Sequence, residues 1–272
     1  MPAKKKFIAA VSILIVLWIV TAFVSVFSGI YDAGIVETVT GGDSLASTIF
    51  YKIRVPRVLM ATLAGGTFAI CGAALQALFR NPLASPFTLG ISGGASLGAI
   101  IAMRTGLAAG FLGFSVVTIF AFVFSLLTML FVYSVSRVGG IVATGRLLLA
   151  GVVMNFLYSA FILFVQFFSN FTESLQTMRW IMGSLDIVGY GEVWKTFLFV
   201  LPGGLLLLSM TKEMNLFGLG DDVASSLGVD VKKMERQIYF ATSLSGGGCY
   251  IGDRPDRIRR AHHPSHTEDD SH

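Results

Sequence analysis

Six stretches of this chain run for 14 to 22 residues without one Asp, Glu, Lys or Arg. They are Phe7–Phe27, Val58–Leu78, Leu89–Met103, Phe114–Val135, Leu147–Phe168 and Phe197–Met210. A soluble core cannot hide that much uninterrupted apolar chain together with 23 Phe. Charged residues make up 13% of the sequence, about half the share of an average soluble domain. The solvent around these stretches is therefore lipid. A hydrocarbon layer about 30 Å thick is crossed by about 20 residues of helix, and helices satisfy their backbone polar groups internally. The expected fold is all-α: a polytopic helical bundle of six complete spans plus the start of a seventh, which opens at Ile238 with IYFATSL. The third and sixth spans are short as drawn.

The N-terminus places Lys4, Lys5 and Lys6 before an apolar run. That pattern fits a signal peptide, but Phe7–Phe27 is longer than an ordinary signal core and no small-x-small cleavage site follows. An uncleaved first span with a cytoplasmic N-terminus is the expectation. On that topology Lys4, Lys5, Lys6, Arg80, Arg137, Arg146, Lys212, Lys232, Lys233 and Arg236 fall on the cytoplasmic side. Lys52, Arg54, Arg57, Arg104, Arg179 and Lys195 fall outside, so basic residues favour the inside by ten to six. The net charge of +4 thus has a membrane explanation and requires no nucleic acid. Cys71 and Cys249 are too far apart in sequence to suggest a disulfide framework or a metal-ligand spacing.

Three polar stretches are more than short connectors. Ser28–Pro56 carries Asp32, Glu37 and Asp43. Asn170–Lys195 carries Trp180, Tyr190 and Trp194, residues suited to a membrane–water interface. Leu216–Arg236 is the most polar internal stretch. There Asp221 or Asp222 can cap a helix whose apolar face includes Val223, Ala224 and Leu227, Gly228 can end it, and a second short helix can start at Asp230. This reads either as a docking surface for another protein or as an amphipathic loop.

The stretch RNPLASPFTLGISGGASLGA, Arg80–Ala99, interrupts the apolar pattern most sharply. Arg80 sits where a cation meets the negative end of a helix dipole. Asn81-Pro82 stops that helix, because the residue before proline is pushed out of the α region, and Pro86 stops it again. Gly90, Gly93, Gly94 and Gly98 give the third span a small face, and Gly65, Gly66 and Gly72 do the same for the second. Small faces let neighbouring backbones approach in lipid, so these two helices are expected to pack closely on each other.

The run RVPRVLMATLAGG at Arg54–Gly66 is followed by GAALQALFRNPLASP at Gly72–Pro86 and GISGGASLGA at Gly90–Ala99. WIMGSL at Trp180–Leu185 and LGDDVASSLGV at Leu219–Val229 complete the set. In this order and spacing, from about residue 7 to about residue 244, the chain resembles the ferric-siderophore, haem and cobalamin permeases of the FecCD type. These are membrane subunits of ABC importers, usually of ten spans. The resemblance implies a bacterial cytoplasmic-membrane permease for an iron(III) chelate, with haem or cobalamin as alternative substrates. It implies four kinds of partner: a second permease subunit, a cytoplasmic ABC ATPase, an extracytoplasmic substrate-binding protein and membrane lipid. Leu219, Gly220, Asp221, Asp222, Ala224, Leu227 and Gly228 become the element that receives ATPase motion. Arg54 and Arg57 match arginines that face the binding protein, although arginines at a span boundary also snorkel for purely structural reasons.

No catalytic constellation and no GxxxxGK[ST] phosphate loop occurs in the sequence, so ATP hydrolysis is expected of another chain and no cofactor is called for. Asn155, Tyr158 and Gln166 in the fifth span suit either a translocation path or hydrogen bonding between helices. An ion-coupled secondary transporter would carry ionisable residues within its spans, and the six stretches have none.

After Leu244 the character changes to SGGGCYIGDRPDRIRRAHHPSHTEDDSH. HHPSH can be read as a metal-binding tract or as part of a disordered tail. A third reading explains more. Shifting the codons of Asp253–His266 by one base yields TGPIGFVGLIIPH, the pattern with which members of this family continue. Third-position degeneracy leaves one free base in each shifted codon, and the others are largely fixed. The expected organisation is thus an incomplete permease domain over 1–244 and an out-of-frame, non-native tail over 245–272. The HHPSH tract is then a by-product and no metal site exists there. A product with this tail, carrying Arg254, Arg257, Arg259 and Arg260 where a span belongs, is expected to be unstable and to import no chelate. The encoding nucleotides decide the matter: their +1 frame across codons 253–266 should spell TGPIGFVGLIIPH, and its absence there ends the frameshift reading.

Overall fold

A computed structural model describes residues 2–27, 45–105, 110–111, 114–138, 141–142, 144–183, 185 and 187–249. Asp32, Glu37, Asp43 and the 253–266 peptide lie outside the described residues, as does Ser184 of the WIMGSL block. The elements in order are α1 Pro2–Phe27, α2 Leu45–Ile49, a π-helical turn Phe50–Arg54, α3 Val55–Phe79, α4 Ile91–Thr105, α5 Val116–Ser136, α6 Thr144–Phe167, α7 Phe171–Met182, α8 Gly191–Ser209, α9 Thr211–Phe217, α10 Asp221–Ser226 and α11 Val231–Gly248. Two antiparallel ladders of two residues a side, β1 Gly110–Phe111 with β2 Phe114–Ser115 and β3 Arg137–Val138 with β4 Ile141–Val142, flank α5.

Among the described residues, five helices are long and apolar enough to cross a membrane: α1, the continuous stretch Ser47–Phe79, α5, α6 and α8. The polytopic helical bundle expected from the sequence is therefore the architecture observed. Ser47–Phe79 has 33 residues, roughly 50 Å at 1.5 Å per residue, well beyond the oil it crosses. The third expected span, α4, has only 15 residues, roughly 22 Å of helix, yet it lies at the centre of the bundle against α5 and α6. The sixth begins earlier than its apolar run: α8 starts at Gly191 and takes Glu192 and Lys195 into the helix. Those two neutralise each other at 3.2 Å, which is why charge did not mark the helix start. α1 exposes its side chains along almost its whole length, as a helix facing lipid does.

Close packing of α3 on α4 through glycines is not what the structure shows. A Cβ at Gly65, Gly66 or Gly72 would meet nothing within 4 Å. The glycines of α4 instead admit α5 and α6. A Cβ at Gly98 would stand 2.5 Å from the Phe120 carbonyl oxygen, and one at Gly94 would collide with Thr128 Oγ1 and with the Phe124 carbonyl. On the other side, Gly93 meets Asn155 and Tyr158 of α6, while Gly90 (φ +79°) meets the Gly151 carbonyl at 3.2 Å. Tyr158 and Thr128 then join α6 to α5 by a hydroxyl–hydroxyl hydrogen bond of 2.6 Å.

The seventh segment also differs from its expected form. α11 does not break at Leu244 but runs to Gly248, and Ser245–Gly248 are buried. Small residues allow this. A Cβ on Gly203 of α8 would stand 2.8 Å from the Ala241 carbonyl, and one on Gly247 would stand 2.5 Å from Ser125 Oγ of α5. The main apolar core joins α3 to α11 through Cys71, Leu75, Phe79, Ile238 and Tyr239.

Gly98→Leu should therefore destabilise the detergent-solubilised chain by about 1–3 kcal/mol or displace α4, whereas Gly66→Ala should be tolerated. Thermal unfolding followed by fluorescence-detected size exclusion measures both, and equal behaviour of the two variants would contradict the packing described.

Candidate functional site

The candidate site consists of a cavity within the bundle and a cluster of polar contacts at each of its ends. The Arg57 end is built from the start of α3. Pro56 carries no N–H, so it cannot serve the carbonyl of Lys52 one turn before it. The N–H of Gly189 donates to that carbonyl instead, at 2.6 Å. Arg57 Nε donates to the Leu185 carbonyl at 3.0 Å, so the loop after α7 is tied once to the π-helical turn and once to α3. Arg54 Nη1 donates to the carbonyls of Val26 at 3.1 Å and Phe27 at 3.5 Å. It thus serves the last turn of α1, where a cation meets unpaired carbonyls. The two arginines are not equivalent: Arg54 is half-buried and Arg57 is exposed.

α7 starts with a reciprocal cap readable in the sequence Asn170-Phe-Thr-Glu173. Asn170 Oδ1 accepts from the Glu173 N–H at 3.0 Å, and Glu173 Oε2 accepts from the Asn170 N–H at 3.2 Å. The same carboxylate pairs with Arg104 Nη1 at 2.5 Å. Arg104 also donates to Ser169 Oγ and, at 3.0 Å, to the Val165 carbonyl, so one side chain joins α4, α6 and α7. Trp180, expected at the membrane surface, is buried against Ala95, Ala99, Val117 and Ala121. Tyr190 and Trp194 are exposed, as interfacial residues are.

Between these ends a cavity of about 760 Å³ opens among α3, α4, α6 and α7. Its polar lining is neutral, from Ser92, Ser96, Asn155, Ser159 and Gln166, and its apolar lining includes Met60, Phe68 and Trp180. Asn155 and Gln166 are there as the sequence suggested, but Tyr158 is not: it is buried on Thr128. The serines gave no signal in the sequence, being small residues spaced along apolar helices.

At the opposite end α3 stops at Phe79, and Arg80 takes the left-handed conformation at φ 48°, alone among the described non-glycine residues. The turn that follows is internally braced. Asn81 Oδ1 accepts from the Leu83 N–H at 2.9 Å. Ser85 and Thr88 exchange backbone-to-hydroxyl bonds of 2.9 and 3.2 Å, and Gly90 N–H returns to the Phe87 carbonyl at 3.0 Å. Pro82 and Pro86 lie within this turn.

Beside it stand α9 and α10. Gly220 (φ 120°) holds the position before α10, so Asp221 and Asp222 form its first turn rather than its cap; their side chains lie outside the described residues. Gly228 (φ 87°) ends the helix, with the N–H of Val229 returning to the Ala224 carbonyl at 3.0 Å. Asp230 Oδ1 accepts from the Lys233 N–H at 3.0 Å and starts α11, as its position predicted. The expected apolar face splits. Ala224 is fully buried, while Val223 and Leu227 are exposed at 44% and 59%, as is Leu219 ahead of the helix at 66%.

With this geometry in place, comparison with known proteins is decisive. The profile of the FecCD transport family matches residues 10–251. The chain belongs to the FecCD transport family. It is 34% identical over 226 residues to the uncharacterized ABC transporter permease protein YvrB of Bacillus subtilis, covering 83% of this chain and 64% of YvrB. It is 36% identical over 204 residues to the hemin transport system permease protein HmuU of Yersinia pestis, covering 74% and 60%. A cobalamin import system permease protein, BtuC of Halobacterium salinarum, is 34% identical over 208 residues, covering 75% and 54%. The chain thus spans less than two-thirds of the length of each of these relatives. A solved ABC transporter assigned to the metal-chelate type, in an inward-facing conformation, superposes with a TM-score of 0.71 at 25% identity, over 88% of this chain and 73% of that one.

The dual role of Glu173 predicts a graded result. Glu173→Gln keeps an acceptor for the cap and should speed tryptic cleavage after Arg179 by no more than about fivefold, since a half-exposed ion pair contributes up to about 1 kcal/mol. Arg104→Ala removes three partners at once and should speed it further. Identical cleavage rates in both variants would show that α7 is held by its apolar face alone.

Proposed function

We propose that this chain is the membrane-spanning permease subunit of an ABC importer for an iron(III) chelate, with its Arg80 end and N-terminus in the cytoplasm. The observation that carries the proposal is the exposed apolar set of Val223 on α10 with Leu219 and Leu227 flanking the helix, beside fully buried Ala224. A six-residue helix held by glycines at both ends and seated by one alanine presents its apolar side chains outward, as a docking surface for a separate ATPase requires. The substrate would come from an extracytoplasmic binding protein that meets exposed Arg57 at the other end, with Arg54 holding α1 in place behind it. Charge at such a rim guides encounter and register more than it supplies affinity. A second permease subunit, identical or related, would face the cavity and complete the path, whose neutral hydroxyl and amide lining offers hydrogen bonds without a charge that would trap an ion. HmuU and BtuC, named for hemin and cobalamin, favour those two substrates as the second reading.

We also place the change of reading frame beyond Gly248 and before Asp253. The burial of Ser245–Gly248 in α11 and the family match to residue 251 support this later junction over one near Ser245.

The test is co-purification. The chain in membranes should capture its importer's cytoplasmic ATPase, and Val223→Arg should abolish capture while leaving thermal stability unchanged. Capture that survives Val223→Arg would refute the docking surface. In the frame-restored gene, radiolabelled ferric siderophore, haem and cobalamin supplied in parallel with the binding protein identify the substrate, and uptake of none of them would refute the importer reading.

A further inference from the structure

We propose that the turn 80–90 is a rigid lever that links the α9–α10 element to the cavity, with Arg80 and Asn155 as the positioning residues at its two ends. The inference rests on the reading of α10 as the ATPase-facing element and adds the route by which its displacement reaches the path.

At one end, the Arg80 guanidinium lies over the ring of Phe217, 5.8 Å from its centroid. Phe217 is the last residue of α9 and is 2% exposed, so the ring cannot move without its helix. The same guanidinium lies near Gly220, where an added Cβ would stand 3.7 Å from Arg80 Nη1. Arg80 therefore contacts the end of α9 and lies beside the residue that precedes α10.

At the other end, Asn155 Nδ2 of α6 donates to the Phe87 carbonyl at 2.8 Å. One turn earlier, Gly151 lets α6 close on the same segment: a Cβ there would stand 2.7 Å from Leu89 Cα. Asn155 also lines the cavity. Between these ends the bonds from Asn81 to Leu83, Ser85 to Thr88 and Phe87 to Gly90 leave the turn little freedom to bend, and Ala84 at its centre is fully buried. A braced segment gripped at both ends transmits a displacement instead of absorbing it.

Contiguity alone does not establish coupling; a linked response of the two ends does. The experiment uses the full chain in membrane vesicles, with Gln166→Cys as a reporter in a Cys249→Ser background. Gln166 lines the cavity, roughly 16 Å along α6 from Asn155, and Cys71 is fully buried. The rate of modification by a methanethiosulfonate reagent is then measured. Arg80→Ala and Phe217→Leu should each change that rate at position 166 by about threefold or more, and Phe217→Tyr, which keeps the ring, should restore it. Arg80→Ala combined with Asn155→Ala should do no more than the larger single effect, because both cut one linkage. Rates within twofold of the parent in Arg80→Ala and Phe217→Leu, or effects that multiply independently in the double variant, would overturn the lever. If Arg80→Ala does not accumulate, the Phe217→Leu and Phe217→Tyr pair decides by the same criterion. No ATPase is present in this assay, so failure of the docking surface is seen separately, in the co-purification of Val223→Arg.

Discussion

Apolar helices surrounded by hydrocarbon gain nothing from hiding their apolar surface, so their association rests on how closely their backbones can approach. In this chain that constraint is met by α4. Its Gly94 and Gly98 admit α5 and its Gly93 admits α6, while Gly151 of α6 admits the turn that leads into α4. Because α4 is too short to span the layer alone, its position is set by these neighbours. The cavity and the braced turn are in turn defined against it. The hydrogen bond between Thr128 and Tyr158 closes the triangle of α4, α5 and α6 on its buried side.

Ionic groups are sorted along the bundle in a way that fits this scheme. Arg54, Arg57, Arg104 and Glu192 belong to one end, and Arg80 and Asp230 to the other, with hydroxyls and amides along the cavity between them. Arg54 serves the end of α1, Arg57 seats the loop after α7, Arg104 joins α4 to α6 and α7, and Asp230 starts α11, while Glu192 pairs with Lys195 inside α8. Arg54 and Arg57 divide these roles. Arg54 is occupied with the end of α1, while Arg57, three residues later, reaches the loop after α7 and stays exposed.

Much of this was legible in the sequence because it depends on local rules. Uncharged runs of the right length marked the spans, Asn81-Pro82 marked the end of α3, and Gly228 and Asp230 marked the joint between α10 and α11. What was not legible depends on partners. Gly65 and Gly93 look alike in a window of sequence, yet one faces open space and the other Asn155. Trp180 has the composition of an interfacial anchor, but α7 folds it back onto alanines of α4 and α5. Glu192 and Lys195 would each argue against an early start to α8, and only together do they permit it. The stacking of Arg80 on Phe217 joins residues far apart in the chain, and no periodicity points to it.

The length of the helix that begins at Ser47 has a further consequence. A rod longer than the oil it crosses must tilt or leave a surplus at the interface, and here its far end closes in the braced turn at Arg80. Its first residues take up the excess, where a π-helical turn interrupts the helix and the loop after α7 is bonded to it at Lys52 and Arg57. Arg57 lies 22 residues before Phe79, roughly 33 Å of helix, so its guanidinium stands about one hydrocarbon thickness away from the turn at Arg80.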